Sequence, residues 1–130
     1  MTTDLWMLVL TGLLCLLLPS VYLLGRMQTP GGMEWALGNR DTQLAIPDWA
    51  ARAQRAHLNL IENLAPFAIL VLTAHVAGKA NSMTAIGSIL FFAGRVAHAA
   101  VYIAGIIGLR TAVFFAAVAG EVLILLQLLH

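Results

Sequence analysis

The chain has 130 residues, of which 61% are hydrophobic and 10% are charged, and its formal net charge is +1. A soluble domain has about 25% charged residues, and a chain this short buries only about 60–70% of its unfolded surface, so a soluble monomer is excluded. One cysteine, Cys15, excludes a disulfide scaffold. The balanced charge argues against nucleic acid as a partner. We therefore expect an integral membrane protein surrounded by the lipid bilayer.

The first predicted span covers residues 5–25, a run of 21 residues without a charge. As a helix it would be about 31 Å long, enough to cross the hydrocarbon core. A cleaved signal peptide is the alternative interpretation. It fits poorly, because Asp4 stands in place of a basic segment and no small-residue cleavage site follows. We expect the span to be retained.

Three further spans are expected after a polar loop. The loop, residues 27–47, contains Pro30-Gly31-Gly32 and Gly38-Asn39, which break regular structure. The later spans contain ionisable residues, but short connections require them to pack as antiparallel neighbours. These spans are predicted at about residues 48–76, 83–107 and 111–129. The sequence thus predicts an all-α integral membrane protein, a single four-helix bundle over residues 1–130.

Basic residues indicate the orientation of the bundle. Lys79 is the only basic residue in the loop between the second and third spans. The opposite side has five arginines: Arg26, Arg40, Arg52, Arg55 and Arg110. The positive-inside rule therefore predicts that both termini lie outside the cytoplasm.

Polar residues inside two of the spans share single helical faces, since they are spaced by three and four residues. An antiparallel arrangement brings Glu62 level with Arg95, and we expect a structural ion pair between them, because charges inside a membrane are paired or functional. The faces consist of Arg52, Arg55, Asn59 and Glu62 on the second span, and Arg95, His98 and Tyr102 on the third.

The remaining polar residues predict a positive pocket that opens to the cytoplasm. It would contain Arg55, Asn59, Tyr102 and Arg110, and its excess positive charge favours an anionic ligand. Arg52 is interpreted as a surface charge and His98 as a structural histidine, while Glu121 has no partner evident from the sequence. The histidines are scattered in depth and face, so no metal site is expected.

Three segments resemble the MAPEG family, the membrane-associated proteins in eicosanoid and glutathione metabolism. They are RAHLNLIENLAPF at residues 55–67, GRVAHAAVYIAG at residues 94–105, and WALGNRD at residues 35–41. The third span most resembles the prostaglandin E synthase members, whereas WALGNRD resembles bacterial members. The resemblance therefore implies a protein of the bacterial inner membrane.

The resemblance also implies a homotrimer with glutathione as co-substrate, bound between adjacent subunits. By the matching motif positions, Arg110 would activate the glutathione thiol, with Thr111 beside it. The residues that would contact glutathione are Arg55, Asn59, Glu62, Tyr102 and, from the neighbouring subunit's first helix, Arg26. Leu58, Asn63 and Phe114 depart from the residues of the eicosanoid-forming members.

Three functions are compatible with these features. The first is a glutathione-dependent transferase or peroxidase that acts on lipophilic electrophiles. The second is a non-catalytic membrane subunit of the same fold that binds lipid or packs within a larger complex. The third, a small multidrug transporter, is disfavoured because such proteins depend on an acidic residue in the first span, and residues 5–25 contain none.

Overall fold

The computed structural model covers residues 1–130 and is entirely helical outside its loops. Four of its helices are long and apolar enough to cross a membrane, so the chain is an all-α, multi-pass membrane protein. A fifth, short helix lies in the first loop. The helices are α1 (Thr3–Met27), α2 (Gly32–Leu37), α3 (Asp48–Val76), α4 (Ser82–Ala104) and α5 (Ile107–Leu129).

The connection between α4 and α5 is shorter than the sequence predicts. Gly105 adopts the left-handed conformation (φ 81°) and ends α4. Its N–H donates to the Tyr102 carbonyl at 3.0 Å, and the Ile106 N–H donates to the Val101 carbonyl at 3.1 Å, which is a Schellman motif. As a result α5 begins at Ile107 instead of near residue 111, and its first turn lies beside the last turn of α4.

The first loop is folded against the end of α1. The short helix α2 was not predicted, because glycines flank it and six residues give no periodic signal. The Trp35 indole N–H donates to the Thr42 carbonyl at 2.5 Å. The guanidinium groups of Arg26 and Arg40 lie 5.1 and 5.5 Å from the Trp35 ring. These contacts hold the first loop against the end of α1 that contains Arg26.

Glycines allow α4 and α5 to approach closely. A Cβ atom at Gly94 would lie 2.9 Å from the Ala117 Cβ, and one at Gly120 would meet the Gly87 carbonyl oxygen and the backbone of Phe91. Phe91 stacks on Phe67 of α3, with ring centroids 3.9 Å apart. The core therefore lies where α3, α4 and α5 meet, while α1 packs on α3 and α4.

At the end of the bundle that contains the N-terminus, Asp4 joins three helices. It is only 3% exposed. Its carboxylate accepts a hydrogen bond from the Thr84 hydroxyl at 2.9 Å and lies 3.3 Å from His75 Nε2, in the one salt bridge of the protomer. Asn81 starts α4 with a capping box to Thr84. Charged and polar groups at this end of the bundle are thus satisfied internally.

Arg95 is the largest fully buried side chain, at 2% exposure, and its partner differs from the prediction. Its Nη2 donates to the side-chain oxygen of Asn59 at 2.6 Å and to the Asn59 carbonyl at 3.1 Å. Its Nε and Nη1 have no hydrogen-bond partner, and neither has the buried Oε1 of Glu121 on α5. The expected Glu62–Arg95 ion pair does not form within the chain, because Glu62 lies three residues beyond Asn59, about 60° around α3, on the exposed side of that helix.

The close α4–α5 contact predicts opposite effects for two glycine substitutions. Gly120→Ala should destabilise the protein by about 1–3 kcal/mol, because its methyl group meets backbone atoms that cannot withdraw. Gly12→Ala is the control, since nothing lies within 4 Å of that Cβ position. Alanine favours helices by about 1 kcal/mol over glycine, so this control should be neutral or stabilising. SDS titration in mixed micelles measures the free energy of unfolding of both variants. Equal changes in the two would contradict the close packing of α4 against α5.

The counter-charge of Arg95 can be identified by comparing two glutamates. Glu121→Gln should lower the free energy of unfolding by about 1–3 kcal/mol, because Glu121 is a partly buried carboxylate on the helix that packs against α4. Glu62→Gln should cost less than about 1 kcal/mol, because Glu62 makes no contact with Arg95 within the chain. The double variant Arg95→Met/Glu121→Leu should recover much of the loss. A larger effect of Glu62→Gln would restore the sequence-based pairing.

Candidate functional site

A polar cleft lies where the first turns of α3 face the junction of α4 and α5. Two adjoining cavities of about 250 and 260 Å³ form it, and both are lined by Tyr102 and Arg110. We call this combined space the arginine cleft. The first cavity is also lined by Arg52, Arg55, Gly105, Ile106 and Ile107, and the second by Asn59, His98, Thr111 and Phe114.

Tyr102 lies at the centre of the arginine cleft. The Arg110 guanidinium carbon is 4.7 Å from the Tyr102 ring centroid, and that of Arg55 is 6.0 Å away. The two-residue turn after α4 explains this geometry, since it places Arg110, in the first turn of α5, next to the last turn of α4. Cations over an aromatic face are held there without losing their capacity to bind anions.

Asn59 is positioned by the buried arginine below the cleft. Its side-chain oxygen is occupied by Arg95 and its carbonyl accepts from both Arg95 and Asn63, the latter at 2.7 Å. The Asn59 side-chain NH₂ is thereby left to donate to a ligand in the cleft. Asn63, one of the departures from the eicosanoid-forming members, thus helps to fix the α3 backbone at this position.

Arg52 belongs to the cleft, which corrects its interpretation as a surface charge. Its Nε donates to the Ile103 carbonyl at 2.9 Å, so it fastens α3 to the end of α4 while its guanidinium group lines the cavity. In the sequence, its spacing of three residues from Arg55 indicated that the two side chains share one face of α3. His98 is 5% exposed, and its ring packs edge-on against the Tyr102 ring with the ring centroids 5.4 Å apart.

Two of the predicted ligand-binding residues lie outside the cleft. Glu62 is exposed on α3 and lines no cavity. Arg26 donates to Gln54 at 3.2 Å and lies over Tyr22 and Trp35, at a separate cavity near the first loop. Within one protomer the structure brings together the other five predicted residues, which are Arg55, Asn59, Tyr102, Arg110 and Thr111.

The cleft is positively charged and contains no carboxylate. Arg52, Arg55 and Arg110 line it, and none of them forms a salt bridge within the protomer. The free N–H groups at the start of α5 add partial positive charge at the same place. Such an arrangement binds carboxylates or phosphates, with arginine as a bidentate donor.

Two departures from the family pattern differ in their effect on the cleft. Leu58 is 51% exposed and lines neither cavity, so this departure does not change the cleft within the chain. Phe114 lines the cleft, with its ring centroid 6.2 Å from that of His98, and contributes no hydroxyl group there. Thr111, which is exposed three residues before Phe114, adds a hydroxyl group to that of Tyr102 in the cleft.

Comparison with known proteins agrees with this architecture. No curated protein is found to match the chain. A model of the MAPEG family matches residues 3–130, which is nearly the whole chain and includes all four membrane-spanning helices. The chain therefore belongs to the MAPEG family, whose members are membrane proteins of the glutathione and eicosanoid metabolism type.

Proposed function

We propose that the protein is a membrane-bound, glutathione-dependent transferase or peroxidase that acts on lipophilic electrophiles. The observation that carries the proposal is the arginine cleft, where three arginines without a carboxylate partner surround Tyr102. An unneutralised cluster of this kind requires an anion. Glutathione, with two carboxylates, is the anion that family membership favours.

The cleft offers a complementary group for each part of glutathione. Arg52 and Arg55 can bind a carboxylate, and the free NH₂ of Asn59 can donate to a peptide carbonyl. Arg110 lies beside Thr111 in the first turn of α5. A cation and helix N–H groups near a thiol lower its pKa and raise the fraction of thiolate at neutral pH. We therefore assign peptide binding to Arg55 and thiol activation to Arg110 and Thr111.

The electrophile would reach the thiolate from the bilayer. Ile106, Ile107 and Leu109, at the rim of the cleft or next to it, are all exposed and apolar. In a transfer reaction the thiolate sulfur forms a bond to the electrophilic carbon, which releases a leaving group or takes up a proton. In a peroxidase reaction the thiolate sulfur attacks the terminal oxygen of a lipid hydroperoxide, the O–O bond breaks, and the alcohol and glutathione sulfenic acid form. The thiol of a second glutathione then displaces water from the sulfenic acid to give the disulfide.

The exposed face of α3 supports a homotrimer. Glu62 lies near the middle of this 29-residue helix, on a face that is uncovered in the protomer and also includes Ile69 and Leu72. A carboxylate in lipid costs about 2.5–3.5 kcal/mol near the bilayer centre. A neighbouring subunit that covers this face would remove that cost. The same association would bring Glu62 and Arg26 to glutathione bound between subunits.

A non-catalytic subunit is the second candidate, and Phe114 favours it. This residue, which departs from that of the eicosanoid-forming members, lines the cleft with a ring that offers no hydrogen bond to a ligand. Such a subunit would co-purify with a larger membrane assembly, whereas the enzyme should be isolated as a homo-oligomer. Glutathione binding to the purified protein separates the two functions.

Arginine substitutions test the assigned division of labour. Arg55→Ala should weaken glutathione binding by about 1.5–3 kcal/mol, the contribution of a charge-assisted hydrogen bond. Arg110→Ala should bind nearly as well but should lose thiolate, because removing a nearby cation raises the thiol pKa. Isothermal titration calorimetry measures binding, and ultraviolet thiolate absorbance near neutral pH measures ionisation. Conjugation by Arg110→Ala should partly recover at high pH.

Arg40→Ala is the matched control, since Arg40 is exposed in the first loop and lies outside the arginine cleft. It should leave both binding and thiolate absorbance unchanged. Equal loss of binding in Arg55→Ala and Arg110→Ala would contradict the separate roles. Absence of glutathione binding by the wild-type protein would overturn the enzymatic proposal and favour the accessory subunit.

The orientation proposed from the arginines can be tested with single cysteines. In a Cys15→Ser background, Ser82→Cys probes the loop between α3 and α4, and Leu37→Cys probes the first loop; both positions are exposed. A membrane-impermeant maleimide should label position 82 at the outer face of the inner membrane and position 37 only after that membrane is opened. The reverse labelling pattern would place both termini in the cytoplasm.

A further inference from the structure

Two adjoining cavities lie at the first loop, away from the arginine cleft. Both are lined by Trp35 and Arg40. The first, of about 400 Å³, is also lined by Arg26, and the second, of about 450 Å³, by Glu34 and Asp41. None of these five residues lines the arginine cleft. We call the two spaces the loop cavities.

Charges of opposite sign are separated between the loop cavities. Arg26 lines only the first cavity, the carboxylates of Glu34 and Asp41 line only the second, and Arg40 lies at both. None of the four side chains forms a salt bridge, although their charges sum to zero. A simple anion at the arginines would therefore lie close to two unneutralised carboxylates. The ligand that complements all four charges is a zwitterion.

Both arginines are held in place and keep N–H groups for a ligand. Arg26 Nη2 donates to the Gln54 side chain at 3.2 Å. Arg40 Nε and Nη2 both donate to the Ala36 carbonyl, at 3.3 and 3.0 Å. The two guanidinium groups lie against the same Trp35 ring, and both line the first cavity. Their remaining N–H groups can bind a phosphate group there, since arginine and phosphate form paired, charge-assisted hydrogen bonds.

The loop cavities lie at the depth of the lipid headgroups. Arg26 follows Asp4 by 22 residues of α1, about 33 Å of helix, which is close to the thickness of the hydrocarbon core. On α2, Met33 and Leu37 are four residues apart and are 50% and 82% exposed. An exposed apolar face on a short helix beside cations and a tryptophan is typical of a segment at the membrane surface.

An apolar surface for acyl chains begins beside the first loop cavity. Leu23 precedes Arg26 by three residues and lies about 60° from it around α1. Leu16 and Val9 continue the face of Leu23 at intervals of seven residues, which return a helix to nearly the same side. These three side chains are 40%, 76% and 51% exposed. A lipid with its headgroup in the loop cavities can thus lay a chain along α1.

We propose that the loop cavities bind the headgroup of phosphatidylethanolamine from the leaflet on the side of the first loop. The phosphate lies in the first cavity, between Arg26 and Arg40. The ammonium group donates to Glu34 and Asp41 in the second cavity. Glutathione takes no part in this binding. Because Arg26 is also assigned to glutathione in the homotrimer, Arg40 is the residue that separates the two sites.

Native mass spectrometry of the full-length protein in detergent measures the binding of dioleoyl phosphatidylethanolamine, phosphatidylcholine and phosphatidylglycerol. Wild type should bind phosphatidylethanolamine about fivefold more tightly than either of the others. The quaternary ammonium of phosphatidylcholine has no N–H to donate, and phosphatidylglycerol has no cation. Arg40→Gln should weaken phosphatidylethanolamine binding by about fivefold. Equal binding of the three lipids by wild type, or undiminished binding by Arg40→Gln, would overturn the proposal.

Carboxylate variants distinguish recognition of the headgroup from a structural role of the loop. Glu34→Gln/Asp41→Asn should reverse the preference, so that phosphatidylglycerol binds more tightly than phosphatidylethanolamine, because only the arginines remain charged. Asp48→Asn is the matched control, since Asp48 is exposed at the start of α3 and lines neither loop cavity. It should keep the wild-type preference. An unchanged preference in the double variant would contradict the assignment of the ammonium group.

A soluble headgroup separates a lipid from a free phosphate ester as the ligand. Glycerophosphoethanolamine has the same phosphate and ammonium groups but no acyl chains. At a concentration equal to that of the lipid it should not displace phosphatidylethanolamine from the wild-type protein, because it gains nothing from the apolar face of α1. Equal competition would show that the cavities bind a soluble ester, and the lipid assignment would then be wrong.

Discussion

The burial of one guanidinium group inside the membrane determines how three of the helices are arranged. Arg95 is 2% exposed, and a guanidinium group in a medium of low dielectric constant is costly unless it is hydrogen-bonded. Its Nη2 binds Asn59 of α3, whereas its Nε and Nη1 have no hydrogen-bond partner. Next to Arg95, α4 and α5 are in close contact, because Gly94 of α4 packs against Ala117 of α5. Because Asn59 is held in this way, the structural charge also shapes the functional cleft.

Hydropathy and the MAPEG resemblance predicted the all-α, four-span fold, because a bilayer imposes length and apolarity on each helix directly. The face shared by Arg55 and Asn59 was also predictable, since helical periodicity relates residues of one helix. Periodicity does not fix the rotation of one helix against another. Depth along the spans favoured Glu62 as the partner of Arg95, whereas the structure places Glu62 on the exposed side of α3.

The features that the sequence did not reveal depend on contacts between distant segments. Arg52 was interpreted as a surface charge because its hydrogen bond to the Ile103 carbonyl links residues 51 positions apart. The contact of Cys15 with His57 spans 42 positions and joins helices whose facing sides had no charge pattern to indicate them. The short helix α2 packs through its own Trp35, whose ring lies 5.1 Å from the Arg26 guanidinium of α1.

Arginines without a carboxylate partner lie together at one end of the bundle, and this is the end at which we propose that a ligand binds. At the end that contains Asp4, this carboxylate is satisfied by Thr84 and His75, and Lys79 donates to the Leu128 carbonyl. At the opposite end, Arg55 and Arg110 have no carboxylate partner, and the N-terminus of α5 adds to their field. Repulsion among these cations is a free-energy cost that the folded chain does not relieve. In the proposed function an anionic ligand would relieve it, so we expect the strength of binding to depend on the same arginines that destabilise the empty cleft.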